Sequence, residues 1–230
     1  MIWLAVDTSS KACSCALLRD GALLGESYCN NGLTHSATLM ALVQNTLTAA
    51  GLPFEAVDRL AVSVGPGSYT GLRIGLSAVK GLAMPFGTPC VGVSTLLSLA
   101  YNLLPFEGVV CAALDARVGQ VFAALFSIKD GRVTRLTDDA AMTLLALGDI
   151  LPDGAMLCGD GAQLVCGQFP QKALRTAPAA LQYQRASSVA QAAITQDYPA
   201  VSATELNAAY HRKSQAERER EAKQRLEEER

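Results

Sequence analysis

Two stretches of the chain share one pattern: LAVDTSSKACSCALLRDG at residues 4–21 and CAALDARVGQVFAALFSIKDG at residues 111–131. In each, an apolar strand ends at an aspartate, Asp7 or Asp115, and a polar turn, a second apolar strand and Asp-Gly follow. The first aspartate and the Asp-Gly pair are 13 residues apart in one stretch and 15 in the other. Asp-Gly between apolar runs predicts a tight hairpin, because both residues tolerate positive φ. The pattern favours an internal duplication, and two unrelated hairpins are the alternative.

Together with the segments around them, these stretches predict two α/β units, each opening with a three-stranded meander. In the first unit, strands are expected at 2–6, 14–18, 22–28, 59–64 and 89–93, with helices at 36–50, 69–86 and 94–101. Two stacked units of this kind resemble the actin and sugar-kinase superfamily. We therefore expect a duplicated actin-like fold with lobes at residues 1–104 and 105–205, followed by a charged helix or tail at 206–230.

The composition argues against a protein that binds nucleic acid or a membrane by itself. Half of the 230 residues are apolar, 17% are charged and the formal net charge is -2. A nucleic-acid-binding surface usually shows an excess of basic residues, so any contact with nucleic acid is expected to be indirect or shared with a partner. No run of 18 apolar residues occurs and Asp7 interrupts the first apolar run, so we expect a cytoplasmic protein with neither membrane span nor leader.

The cysteine and histidine content makes a zinc site improbable. The seven cysteines include no CxxC pair, and the chain has only two histidines. Most cysteines stand in apolar runs, which indicates buried free thiols in a reducing compartment.

The most distinctive segment is GPGSYTGLRIG at residues 65–75, between a buried strand and a helix. It lacks the lysine of a Walker phosphate loop and the third glycine of a dinucleotide loop. A structural elbow is the favoured interpretation and phosphate binding is the alternative. Ser68 or Thr70 is expected to cap the helix.

This elbow resembles the hallmark segment of the TsaB family, and other segments agree in order. Residues 7–9, GVSTL at 92–96 and DARVGQVF at 115–122 resemble further motifs of that family. Gln120 and Phe122 replace its usual Glu and Tyr, and Ala208 replaces a proline before Tyr210. The resemblance covers about residues 1–212.

The resemblance implies a non-catalytic subunit needed for threonylcarbamoyladenosine modification of tRNA beside the anticodon. It implies partnership with the catalytic subunit TsaD and the ATPase TsaE, and a homodimer when the chain is alone. TsaD uses two histidines four apart on its first helix to hold a metal. Here His35 is followed by Leu39, so we expect neither catalytic nor metal-binding residues. No tightly bound cofactor is expected, with ATP or ADP at the level of the assembly.

Two sets of site residues follow. Asp7, Thr8, Ser9 and Asp115 would line a degenerate nucleotide cleft, and turn-capping is the alternative role for the two aspartates. Small residues on the second helix suggest close approach of another helix. We assign the partner surface to Met40, Gln44, Gly71, Gly75, Leu76 and Val79; burial within the monomer is the alternative.

Two enzymatic functions remain as alternatives to the binding subunit. A nucleotide-dependent transferase or kinase would use the cleft between the lobes. A peptidase is disfavoured, because no GxSxG motif occurs and bases are scarce. The last 20 residues, with seven Lys or Arg and six Glu, have no apolar stripe and read as a solvated segment.

Overall fold

A computed structural model describes residues 1–210 of the chain. The predicted charged helix or tail therefore falls almost wholly outside the described residues, as do His211 and Arg212. Within the described part, no helix is long and apolar enough to cross a lipid bilayer.

The first lobe is built on a five-stranded sheet in the order β3-β2-β1-β4-β5. Its strands are β1 Ile2–Asp7, β2 Cys13–Arg19, β3 Ala22–Cys29, β4 Arg59–Gly65 and β5 Cys90–Ser94. Its helices are α1 His35–Ala49, α2 Tyr69–Ala83 and α3 Thr95–Tyr101. Strand β2 is joined to β3 through Asp20 and Gly21, with φ of 51° and 83°, as predicted for this turn.

The second lobe repeats this order as β8-β7-β6-β10-β11. Its strands are β6 Gly108–Arg117, β7 Gln120–Lys129, β8 Arg132–Arg135, β9 Ala140–Thr143, β10 Met156–Cys158 and β11 Arg175–Thr176. Its helices are α4 Leu144–Ile150, α5 Ala162–Gln168 and α6 Ala186–Thr195. In both lobes the meander is antiparallel and the last two strands add in parallel. The predicted duplicated actin-like fold is confirmed.

The alternation of apolar residues along the strands places helices on both faces of each sheet. In β1, Leu4 and Val6 face α1 and α2, whereas Trp3 and Ala5 face α3 and α6. The second sheet has the same two-sided burial, with α4 and α5 on its outer face. Helices α3 and α6 therefore form a shared layer between the two sheets.

Polar contacts join the lobes at the start of α6. Glu26 of β3, whose side chain is 4% exposed, accepts hydrogen bonds from Arg185 and from both the backbone and the hydroxyl of Ser187. Ser14 accepts a further bond from Ala186 N. Burying this carboxylate without such partners would be costly, so this joint fixes α6 on the first sheet.

The chain returns to the first lobe after α6. Val201 pairs with Cys90, Leu206 is buried in the first-lobe core, and Ala209 N donates to Val64 O at 2.8 Å. Residues 201–210 therefore pack with the first lobe, whereas the predicted second lobe extended to residue 205.

Several short elements were not foreseen. Strands β9 and β11 and helix α5 were not predicted, because none is longer than seven residues and periodicity is weak at that length. Helix α2 ends at Ala83 rather than the predicted Phe86, since Pro85 has no backbone N–H to continue the helical hydrogen bonds.

Candidate functional site

The first predicted cleft residue, Asp7, lies fully buried at the end of β1. Its Oδ1 accepts hydrogen bonds from the backbone N–H and the hydroxyl of Ser9, both at 2.8 Å. Its Oδ2 accepts a bond from the Ser63 hydroxyl. Both carboxyl oxygens are thus engaged by neighbours in the same lobe, as expected of an aspartate that caps a turn.

Burial raises the pKa of Asp7 above its usual value, because the charged form loses its hydration. The hydrogen bonds from Ser63 and Ser9 oppose that shift by favouring the carboxylate. The free energy of folding should therefore depend on the ionisation of Asp7.

The glycine-rich elbow packs against this turn. A Cβ atom added at Gly67 would lie 2.3 Å from Ser9 O, and one at Gly71 would lie 2.1 Å from Thr8 O. Ser68 N donates to Ser9 O at 2.7 Å, and the Ser68 hydroxyl caps α2 by accepting from Gly71 N. The elbow glycines admit the backbone of the protein itself, which agrees with the structural interpretation of this segment.

Of the other three predicted cleft residues, two are buried and one is exposed. Thr8 and Ser9 are buried, and the Thr8 hydroxyl donates to Gly71 O at 2.7 Å. Asp115 is exposed at the second turn, where its Oδ1 accepts from Arg117 N at 2.7 Å. Asp7 and Asp115 are not hydrogen-bonded to each other.

The residue that does connect the two turns is Asp160, on the loop between β10 and α5. Its Oδ1 accepts from Asp115 N at 3.0 Å, and its Oδ2 accepts from the Ser10 hydroxyl at 2.8 Å. Asp160 is not among the site residues predicted from the sequence. The available signal was the match between Gly159-Asp160-Gly161 and Gly65-Pro66-Gly67, which end equivalent strands of the two lobes.

Four of the six residues assigned to the partner surface face inward, and this assignment is corrected. Gly71, Gly75, Leu76 and Val79 are buried in the monomer. A Cβ at Gly75 would lie 2.5 Å from Thr8 Oγ1, so the small face of α2 accommodates the first turn rather than a second subunit. The alternative of burial within the monomer holds for these four residues.

Met40 and Gln44 are exposed, and Met40 borders a groove between α1 and α2. The groove has a volume of about 510 Å³. Its lining is mainly apolar, with a single charged side chain; it consists of Ser36, Leu39, Met40, Tyr69, Thr70, Arg73, Ile74, Ser77 and Ala78.

Tyr69, which lines this groove, takes part in aromatic packing. Tyr210 stacks on Tyr69 with the ring centroids 5.1 Å apart. Arg73 donates to the Tyr69 hydroxyl at 2.9 Å and lies over the Tyr69 ring. These contacts hold the end of the described chain beside the first turn of α2.

His35 and Leu39 both make contacts within the protein. His35 Nε2 donates to Ser10 O at 2.7 Å, which ties the start of α1 to the first turn, and Leu39 lies in the core. Within residues 1–210, no group of three or more His, Cys, Asp or Glu side chains is arranged to hold a metal ion.

Comparison with known proteins gives the family. Residues 32–193 match the sequence model described as TsaD: tRNA N6-adenosine threonylcarbamoyltransferase. The chain is 35% identical over 144 residues to a tRNA threonylcarbamoyladenosine biosynthesis protein TsaB of Bacillus subtilis, covering 63% of each. It is 40% identical over 124 residues to TsaB of Escherichia coli, covering 53% of each. The chain thus spans about half to two thirds of the length of these curated relatives.

A solved structure extends the similarity to both lobes. YeaZ from Pseudomonas aeruginosa matches with a TM-score of 0.78 and 27% sequence identity, covering 91% of this chain and 99% of that one. The elbow, the repeated strand order and these similarities agree. The chain belongs to the TsaD family of tRNA N6-adenosine threonylcarbamoyltransferases and their relatives, as a member of the TsaB type.

Proposed function

We propose that this chain is a non-catalytic subunit required for threonylcarbamoyladenosine modification of tRNA, and that it binds and supports TsaD together with the ATPase TsaE. The observation that carries this proposal is the groove between α1 and α2, the two long helices of the first lobe. Its apolar side chains, including the exposed Met40 and the half-buried Ile74, suit a helical partner.

The corrected partner surface consists of the outward faces of the two helices. Met40 and Gln44 remain from the sequence prediction, and Ile74, Ser77 and Ala78 replace the buried residues of α2. In isolation the same surface would pair with a second copy of the chain. Partner and second copy would therefore compete for one site.

The absence of a catalytic role rests on the identity of residues on α1. A metal chelate requires a second ligand one turn after His35, and Leu39 stands there with its side chain in the core. The Nε2 of His35 is already bonded to the first turn. Neither residue is suited to bind a metal for threonylcarbamoyl transfer.

We also propose that the chain alone binds no nucleotide tightly and contacts tRNA only indirectly. Asp7, Thr8 and Ser9 are occupied by contacts within the first lobe. The formal net charge of -2 offers no general attraction to phosphates. ATP or ADP would then bind at the level of the assembly.

A reconstitution tests the proposal. The purified chain is combined with TsaD, TsaE, threonylcarbamoyl adenylate and unmodified tRNA, and modified adenosine is measured with each protein omitted in turn. We expect modification only when this chain and TsaD are both present. Transfer by this chain without TsaD would instead establish a transferase, and full modification without this chain would contradict the proposal.

A further inference from the structure

The loops after β4 and β10 occupy equivalent places in the two lobes but differ at their middle residue. Gly65-Pro66-Gly67 follows β4, and Gly159-Asp160-Gly161 follows β10. Each loop folds back on the strand or turn beside it. Gly161 N donates to Ala113 O at 3.0 Å, as Ser68 N donates to Ser9 O. Only the second loop carries a charged side chain.

That side chain lies between the two turns that face each other across the lobes. Ser10 belongs to the turn after β1, and Asp115 lies near the end of β6. Asp160 accepts one hydrogen bond from each, at 2.8 and 3.0 Å. Backbone N–H groups and hydroxyls at turns are the donors that proteins offer to phosphate. A carboxylate of the chain itself thus takes a place suited to a ligand anion.

Five further backbone N–H groups near this gap also have acceptors within the chain. The acceptors are carboxyl or carbonyl oxygens of residues already in the lobes. The donors are the N–H groups of Ser9, Ser68, Arg117, Gly159 and Gly161. An entering phosphate would have to displace these bonds and would meet the Asp160 carboxylate at the same time.

We propose that Asp160 is a built-in anion that joins the two lobes and keeps phosphate-bearing ligands out of the gap between the turns. It is a specificity-determining residue and gives a physical reason for weak nucleotide binding by the chain alone. This inference deepens that part of the proposed function. It does not depend on which protein binds the groove.

The test compares Asp160→Asn with the wild-type chain, using inorganic phosphate and ADP as probes. The substitution keeps the size of the side chain and removes its charge. We expect Asp160→Asn to bind both probes at least tenfold more tightly than the wild type by isothermal titration calorimetry. We also expect a phosphate-dependent rise in Tm, with sodium chloride at matched ionic strength as the reference.

Two control variants separate charge from stability. Asp153→Asn removes one charge from an exposed side chain of the same lobe, 3.7 Å from Lys172 Nζ, and should bind as the wild type does. Ser10→Ala removes the hydrogen bond from Ser10 to Asp160 but keeps the carboxylate. It should therefore lower Tm without increasing phosphate binding. Asp160→Ser provides the same measurement should Asp160→Asn not fold.

The outcomes distinguish the two proposals. Equal phosphate binding by Asp160→Asn, Asp153→Asn and the wild type would overturn the role of Asp160. Tight ADP binding by the wild type would overturn both this inference and the proposal that the chain alone binds no nucleotide. Gain of binding in Ser10→Ala alone would show that lobe closure, rather than charge, excludes the ligand.

Discussion

The two lobes have the same strand order but differ in their outer helices and in the loops at their cleft. In the first lobe, α1 and α2 have 15 residues each and enclose the groove. In the second lobe, α4 and α5 have seven residues each. The first lobe packs its elbow against its own turn, whereas the second extends Asp160 to the other lobe. One duplicated architecture therefore has a groove between two long helices in one copy and a connection between lobes in the other.

The largest expected effect concerns the two glycine-rich loops. A Cβ at Gly67 would lie 2.3 Å from Ser9 O, whereas the nearest atom to a Cβ at Gly161 is Leu114 C at 3.0 Å. Gly67→Ala should lower the free energy of unfolding by about 3 kcal/mol, and Gly161→Ala by about 1 kcal/mol. Urea unfolding monitored by circular dichroism measures both.

Gly81 on α2 provides the control for this comparison. A Cβ there meets no atom within 4 Å, so Gly81→Ala should stabilise the protein by roughly 0.5–1 kcal/mol through helix propensity. Equal losses at Gly67 and Gly161 would contradict the difference in packing between the lobes.

The next effect concerns the outer helices. Ser77 is an exposed residue of α2 that lines the groove, and Gln163 is exposed on α5, the equivalent helix of the second lobe. Ser77→Glu should weaken association with TsaD, and self-association, at least tenfold, about 1.4 kcal/mol, because a charge would be buried without a partner. Analytical ultracentrifugation and calorimetric titration measure the two associations.

Gln163→Glu introduces the same charge on the second lobe and should leave both associations unchanged. A similar loss from both variants would place the partner surface elsewhere or indicate a non-specific effect of charge. Gly75 is unsuitable for this test, because its substitution would disturb Thr8 inside the monomer.

A smaller effect is expected from the aspartates at the two turns. The pKa of Asp7 is raised by burial above 3.8, so the folded protein holds a proton that the unfolded chain releases first. Its favourable contribution is complete below the unfolded pKa and is lost as pH rises through the folded pKa. Stability should fall with increasing pH in that window, by at most about 1.4 kcal/mol per pH unit.

Asp7→Asn should remove this part of the pH dependence, because an amide does not titrate. The amide can still accept from Ser9 and donate to Ser63. The measurement is the free energy of unfolding in urea from about pH 4 upward. Asp115→Asn, at the exposed second turn, is the control. A pH profile unaltered by Asp7→Asn would mean that burial of this carboxyl does not influence folding.

The smallest effect concerns the thiols and needs no change in stability. Five of the cysteines are buried, whereas Cys29 of the first lobe and Cys166 of the second are partly exposed. Burial raises the pKa of Cys15 and of Cys111 to about 12, which suppresses their thiolates. Alkylation of the native protein near neutral pH should label Cys29 and Cys166 first, as read by mass spectrometry. Early labelling of Cys111 would reveal opening of the second lobe.

The residues that sequence reasoning placed correctly are those with local signals. Asp20-Gly21 predicted the hairpin of β2 and β3, Ser68 was one of two residues expected to cap α2, and apolar runs located most of the long strands. Asp7 ends β1, whereas Asp115 lies two residues before the end of β6. Asp160 escaped notice because its partners, Ser10 and Asp115, are distant in sequence.

Sequence by itself favoured the duplication and predicted the order of most of the main elements, because these depend on short-range periodicity and turn chemistry. The family resemblance rested on motif residues, above all those at 65–75. It also identified α1 and α2 as the helices of interest. Only the tertiary structure decided which face of α2 is free. Small residues permit close approach by any neighbour, and here that neighbour is Thr8 of the same lobe. It likewise decided that Asp160 bridges the turns, since such a contact exists only once the two lobes are packed together.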